Sequence, residues 1–157
     1  MGNKIVEILN ESIKLELNVA ELYMLFYEIF PEDSSFWWDL CMEEKNHASL
    51  LRSGLEFVKT SEIFPEEVLA PTIEKLHEIN TMITGLIKEY RENKPSKDKA
   101  FSISITLEKS AGEFHFQESM NSISDSKLLK VFQMLNKDDR DHAERIEQYA
   151  RSLGFDL

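Results

Sequence analysis

The sequence predicts an all-α protein: an antiparallel four-helix bundle with a long helical crossover between its second and third core helices. Three observations predict this. Apolar residues recur at steps of three and four through every long stretch, the period of a helix buried along one face. The segment Glu44-Lys45-Asn46-His47-Ala48 is echoed ninety-five residues later as Asp139-Arg140-Asp141-His142-Ala143. A 64-residue gap separates Glu44 from Glu108, enough chain for a crossover between two helical hairpins.

The first helix runs from Asn3 to Phe30. Its stripe is Leu9, Ser12, Glu16, Val19, Tyr23, Phe26 and Phe30. Asn3 suits an N-cap, and Pro31 ends the helix because it disfavours helical geometry in the residue before it. Pro31-Glu32-Asp33-Ser34-Ser35 then reads as a turn with capping residues for a second helix. That helix carries Trp37, Leu40, Glu44, His47, Leu51, Gly54 and Val58 on its core face, with Trp38 at the rim and Glu43 turned away.

Residues 60–71, with Pro65 and Pro71, read as a connection. Thr72 to Asn93 is again amphipathic, through Ile73, Leu76, Ile79, Ile83, Leu86 or Ile87, and Tyr90. At 1.5 Å per residue it spans roughly 33 Å, the length of a bundle, so it can serve as the crossover. His77 on it reads as an ordinary histidine. Asn93-Lys94-Pro95-Ser96 breaks the pattern before a helix over residues 96–121 with Phe101, Ile105, Glu108, Ala111 or Gly112, and His115. After a turn at Ser122-Ile123-Ser124-Asp125, the last helix carries Phe132, Leu135, Asp139, His142, Ile146, Tyr149 and Leu153, and Gly154 suits its end.

Composition bounds the function. The 157 residues fit a single domain spanning 1–157, and their net charge of −11 opposes binding to nucleic acid or an anionic membrane through a general basic field. Cys41 is the only cysteine, so a disulfide, a zinc ribbon or an iron–sulfur cluster cannot be built within the chain. Charged residues interrupt the apolar pattern of the N-terminal stretch, which is neither a signal peptide nor a membrane span. A cytoplasmic protein is expected.

Aligned on the echo, the two halves form an internal repeat. Glu16 through Tyr23 matches Glu108 through His115, and Trp37, Leu40, Glu44 and His47 match Phe132, Leu135, Asp139 and His142. Six ionisable groups thus fall on four helical stripes: Glu16, Glu44, His47, Glu108, Asp139 and His142. Any one of them alone would ordinarily be structural. Four buried carboxylates against two imidazoles are very unfavourable without compensating charge. Two divalent cations supply it, each taking one histidine.

A glutamate from each of two helices, plus an acid-x-x-His pair from each of two others, is the ligand set of ferritin-like dimetal proteins. On Glu16 with Tyr23, Glu44-x-x-His47-Ala48, Glu108 and Asp139-x-x-His142-Ala143, the chain resembles the rubrerythrin branch of that superfamily over nearly its whole length. The resemblance implies terminal ligation by Glu16 and Glu108, bridging or near-bridging by Glu44 and Asp139, and one histidine per metal. It implies two iron ions, with manganese or zinc able to occupy the same site. It places Tyr23 beside the centre as a hydrogen-bonding group, with a packed core aromatic as the other reading. His115 stands at the equivalent point of the second half.

The implied activity is that of a non-haem di-iron oxidoreductase reacting with O2 or hydrogen peroxide, of peroxidase or ferroxidase type. The alternatives are an iron-binding or iron-handling protein without turnover, and an oxygenase acting on an organic substrate. Full rubrerythrins add a cysteine-ligated iron domain, and this sequence has nothing to form one. A separate electron-donor protein is therefore expected, and the family likeness adds a homodimer. Two further departures stand out: Asp139 where relatives carry Glu, and Ala111 where full rubrerythrins carry a further Glu.

Overall fold

The computed structural model describes residues 2–60, 73–114 and 127–157. Among them the only regular secondary structure is helical. Helix α1 spans Gly2–Ile29, α2 Ser34–Thr60, α3 Ile73–Glu92, α4 Lys97–Phe114 and α5 Lys127–Ser152. The all-α class is therefore observed, and no described helix is long and apolar enough to cross a membrane. The chain divides into two compact units, residues 1–94 and 95–157. The connection bearing Pro65 and Pro71, His115 and the turn over residues 122–125 lie outside the described residues. So do the side chains of Val58, Ala111, Gly112 and Phe132.

In the first unit α1 and α2 form an antiparallel hairpin. Phe30 sits at φ −118° and ψ 75°, outside the helical geometry that a following proline disfavours, and the helix stops there. Pro31–Asp33 makes a single 3-10 turn, and α2 starts at once. Aromatic rings lock the hairpin: Trp37 lies 5.7 Å from Tyr23 and 5.0 Å from Phe26, centroid to centroid. Helix α1 begins at Gly2, so Asn3 falls inside its first turn rather than capping it.

The third helix packs on α1 and runs parallel to it. Asn80 bonds Glu11 and Asn18 near one end, while Arg91 meets Glu21 and Tyr90 meets Phe26 toward the other. It thus carries the chain from the far end of α2 back to the turn end. Its buried face is Leu76, Ile79, Ile83, Ile87 and Tyr90, which settles the choice between Leu86 and Ile87. Buried between two helices, α1 is apolar on two flanks, with Leu15 and Leu22 inside as fully as Leu9 and Phe26. His77 is half exposed, 3.5 Å from Glu11 Oε1.

In the second unit α4 and α5 form another antiparallel pair, joined by Phe101 against Tyr149 and by a 2.6 Å ion pair from Lys109 to Glu147. Helix α5 ends in a Schellman turn: Gly154, at φ 90°, donates to Arg151 O, and Phe155 donates to Ala150 O. The turn corrects one expectation. Leu153 is 41 % exposed, not on the core stripe, because the reversal swings it outward and brings Phe155 against Phe101 at 5.9 Å.

The repeat read from sequence reappears as a repeat of burial. Ile8, Leu9, Ser12, Ile13, Leu15 and Glu16 are buried, and so are their counterparts ninety-two residues on: Ala100, Phe101, Ser104, Ile105, Leu107 and Glu108. From Glu43 to Leu51, every residue shares its class (buried, half-buried or exposed) with the residue ninety-five positions later.

Candidate metal centre

All six sequence-predicted ligands are buried. Relative exposure is 2 % for Glu16, Glu44, Glu108 and His142, 4 % for His47 and 1 % for Asp139. Helical phase explains the selection. Glu44 follows Trp37 by two turns and Leu40 by one, so it points inward, whereas its neighbour Glu43 is only half-buried. His47 sits one turn beyond Glu44, and a leaning side chain on a helix reaches back over the turn before it.

In the first unit three side chains converge. His47 Nδ1 lies 3.3 Å from Glu44 Oε2, on its own helix, and 3.5 Å from Glu16 Oε2, across on α1. One ligand atom from each of these residues lies within 4.8 Å of those of the other two. Burial alone would push the His47 pKa down, since it disfavours the charged form. Hydrogen bonding to Glu16 and Glu44, and their negative charges, outweigh it and raise the value to about 11. With no metal bound, a proton therefore sits on this imidazole and offsets one of the two carboxylates.

The second unit repeats the contact between its histidine and the glutamate of the neighbouring helix. His142 Nδ1 lies 3.6 Å from Glu108 Oε2, and Asp139 stands one helical turn before His142 on the same buried face. Both histidines thus turn the same ring nitrogen to an acid on the neighbouring helix.

These separations fit a shared cation. Two ligand atoms each about 2.1 Å from one metal lie about 3.0 Å apart at a right angle and about 3.4 Å apart at a tetrahedral angle. The observed 3.3, 3.5 and 3.6 Å sit near that range and beyond the 2.7–2.9 Å of a close charge-assisted hydrogen bond. The donors are carboxylate oxygen and imidazole nitrogen, which suit iron, manganese and zinc.

Tyr23 is fully buried two turns along α1 from Glu16, with its ring tilted against Trp37. Its packing is that of a core aromatic, and its lean along α1 is toward the turn that carries Glu16. The lone Cys41 is also buried, and burial pushes its thiol pKa up, keeping it protonated and a poor ligand.

The stripe reading caught one member of a repeated pair, Ser12, and missed the other, Ser104. A buried serine stands one turn before the terminal acid in each half, Ser12 before Glu16 and Ser104 before Glu108. The Ser104 hydroxyl donates to Ala100 O at 2.8 Å. Extending the ninety-two-residue offset one turn backward would have found Ser104. Compared with family models, curated proteins and solved structures, the chain matches none.

Proposed function

We propose that this protein is a dimetal carboxylate oxidoreductase whose six ligands are Glu16, Glu44, His47, Glu108, Asp139 and His142. The two units would then be halves of one ferritin-like four-helix bundle, with α3 as the crossover. A single observation carries the reading: each unit separately buries an acid-x-x-His pair together with a glutamate from the adjacent helix. One such set is explicable as a buried ion pair. Two in the same frame leave four acids and two imidazoles inside, a charge that two divalent cations neutralise.

Iron is the metal proposed, and bound there it would supply two-electron reduction of O2 or hydrogen peroxide. The chain's own residues do the rest. The Nδ1 proton of His47 must leave before that atom can ligate, so loading is coupled to proton release. Glu44 and His47, one turn apart on a single helix, hold their spacing through the backbone, while Glu16 sets the distance to α1. Trp37, Tyr23, Phe26 and Leu40, all fully buried, pack the hairpin on the turn side of the first set and would keep water from it there. A reductant from outside these residues closes the cycle.

The test is anaerobic ferrous titration of the full chain, with metal counted by elemental analysis and then exposure to peroxide or O2. Two metals per chain and oxidant-dependent ferrous loss are expected. No bound metal would sink the reading; two metals without oxidant consumption would leave an iron-holding protein instead.

A further inference from the structure

We propose that the turn end of the α1–α2 hairpin is a docking surface for a basic-faced electron-carrier protein. The proposal rests on the reading above, because that reading requires an external reductant. Three observations point to this place and this partner.

The first is an exposed aromatic pair. Tyr27 on α1 is 36 % exposed and Trp38 on α2 is 43 % exposed, and their rings lie 5.7 Å apart, tilted by 53°. They cover each other across the outside of the hairpin. Scattered surface aromatics are ordinary, but paired ones at one place mark interfaces, where aromatic residues are enriched.

The second is charge. From Leu15 to Glu44 the sequence holds no lysine, arginine or histidine. Glu16, Asp33 and Glu44 are buried, so the charge presented outside is that of Glu28, Glu32, Asp39 and half-buried Glu43, with Glu21 paired to Arg91 of α3. Two acids adjoin the pair in sequence, Glu28 after Tyr27 and Asp39 after Trp38, and both are exposed, as is Glu32 in the connecting turn. The next base along α2 is Lys45, two turns beyond Trp38. A second copy of this chain is a poor occupant, since a two-fold contact would set these acids against themselves. A partner presenting lysines or arginines is attracted and oriented by the same charges.

The third is position. Trp38 precedes Glu44 by six residues on one helix, about 9 Å along its axis. Trp37, directly before Trp38, is in the core layer with Tyr23 and Phe26. A carrier seated on the pair is therefore separated from the first ligand set by one aromatic layer of the same unit. Each encounter would pass one electron, oxidising the carrier by one and reducing by one a metal held by the first ligand set. Two encounters would supply the two electrons a dimetal centre needs, and no bond at the docking surface forms or breaks.

The experiment maps binding on the full, metal-free chain by amide chemical shifts, so it does not depend on the centre. Cytochrome c, a basic haem protein, is the probe, and an acidic plant-type ferredoxin is the control. The expected result is shift changes centred on residues 24–43 with cytochrome c and none with ferredoxin. Raised ionic strength and the Glu28→Lys/Asp39→Lys double variant should each weaken binding at least tenfold. Trp38→Ala should weaken it while the salt dependence persists. Both charge reversals are at exposed positions, and circular dichroism checks that the helices stay intact. Absent binding at low ionic strength, shifts centred elsewhere, or equal binding of ferredoxin would overturn the proposal. Metal content, measured separately, decides the fate of the centre itself.

Discussion

The α1–α2 pair and the α4–α5 pair repeat one burial pattern, yet they support their acids differently. In the first, α1 is held on two flanks: α2 covers Glu16 and Tyr23, while α3 pins it through Asn80 to Glu11 and Asn18 and through Arg91 to Glu21. Within the second unit, α4 has α5 as its one helical partner. The acid before the histidine also differs, Glu44 against Asp139, and aspartate is one methylene shorter. From the same helical position its carboxylate reaches roughly 1.3–1.5 Å less far, by ordinary single-bond lengths. Equal burial thus does not mean equal ligand placement. If both halves hold metal, the first should be the tighter site and the second the weaker.

The largest effect expected from this difference is on metal content. His47→Ala removes the atom on which Glu16 and Glu44 converge, and it should abolish the tighter of two metal affinities. His142→Ala should remove only the weaker. In the metal-free protein His47→Ala also strands two buried carboxylates, a cost of about 3–5 kcal/mol. Urea unfolding of the apo variants reads that cost. If the two histidine variants lose the same metal and the same stability, the halves are equivalent and the comparison fails.

Proton release gives a second separation of the halves. Because the folded pKa of His47 is raised above the ordinary imidazole value of 6.5, to about 11, the charged form stabilises the apo fold. That stability is fully present below pH 6.5 and is lost as pH rises through 11. A metal entering at neutral pH must displace this proton, so first-half affinity should rise about tenfold per pH unit between 7 and 8. Calorimetry in buffers of different ionisation enthalpy should report about one proton released with the tighter metal. A pH-independent affinity over that window would contradict the geometry at Nδ1.

Much of this was legible in the sequence, for a physical reason. A buried acid on an apolar stripe violates the burial pattern around it, so Glu16, Glu44, Glu108 and Asp139 stand out by phase alone. The same phase argument separates Glu44 from Glu43 and Trp37 from Trp38. What it missed depends on things periodicity does not encode. The stripe reading treats α1 as buried on one face, but α3 buries a second, and Leu15 and Leu22 lie there. Leu153 has the right phase, but the backbone turn at Gly154 overrides it. Ser104 is small, polar and helix-compatible, so it does not break the pattern enough to be noticed without its counterpart Ser12.

A smaller effect should follow from equalising the halves. Asp139→Glu restores the methylene, and the two metal affinities should converge, the weaker rising by roughly tenfold, within the range that changes around metal ligands produce. Titration of the variant reads the ratio directly. A drop in affinity would mean that the space around Leu135 and Ile146 is already matched to the shorter acid, both being fully buried.

The smallest effects come from two glycines, one in each unit, and they pull in opposite directions. Gly85 lies on the exposed face of α3, and a Cβ there would meet nothing within 4 Å. Its backbone is helical, so Gly85→Ala trades an entropic cost for a better helix former and should stabilise the first unit by about 0.5–1 kcal/mol. A Cβ on Gly154 would also meet nothing within 4 Å, so crowding is not at issue there. Its φ of 90° is, because an L side chain is strained in that region, and the Schellman turn requires it. Gly154→Ala should therefore destabilise the end of α5 by about 1–2 kcal/mol, loosening Phe155 from Phe101. Amide exchange separates the two outcomes: Gly85→Ala should slow exchange across α3, and Gly154→Ala should speed it over the last turns of α5. Neither position is among the six proposed ligands, so metal affinity should be unchanged in both variants.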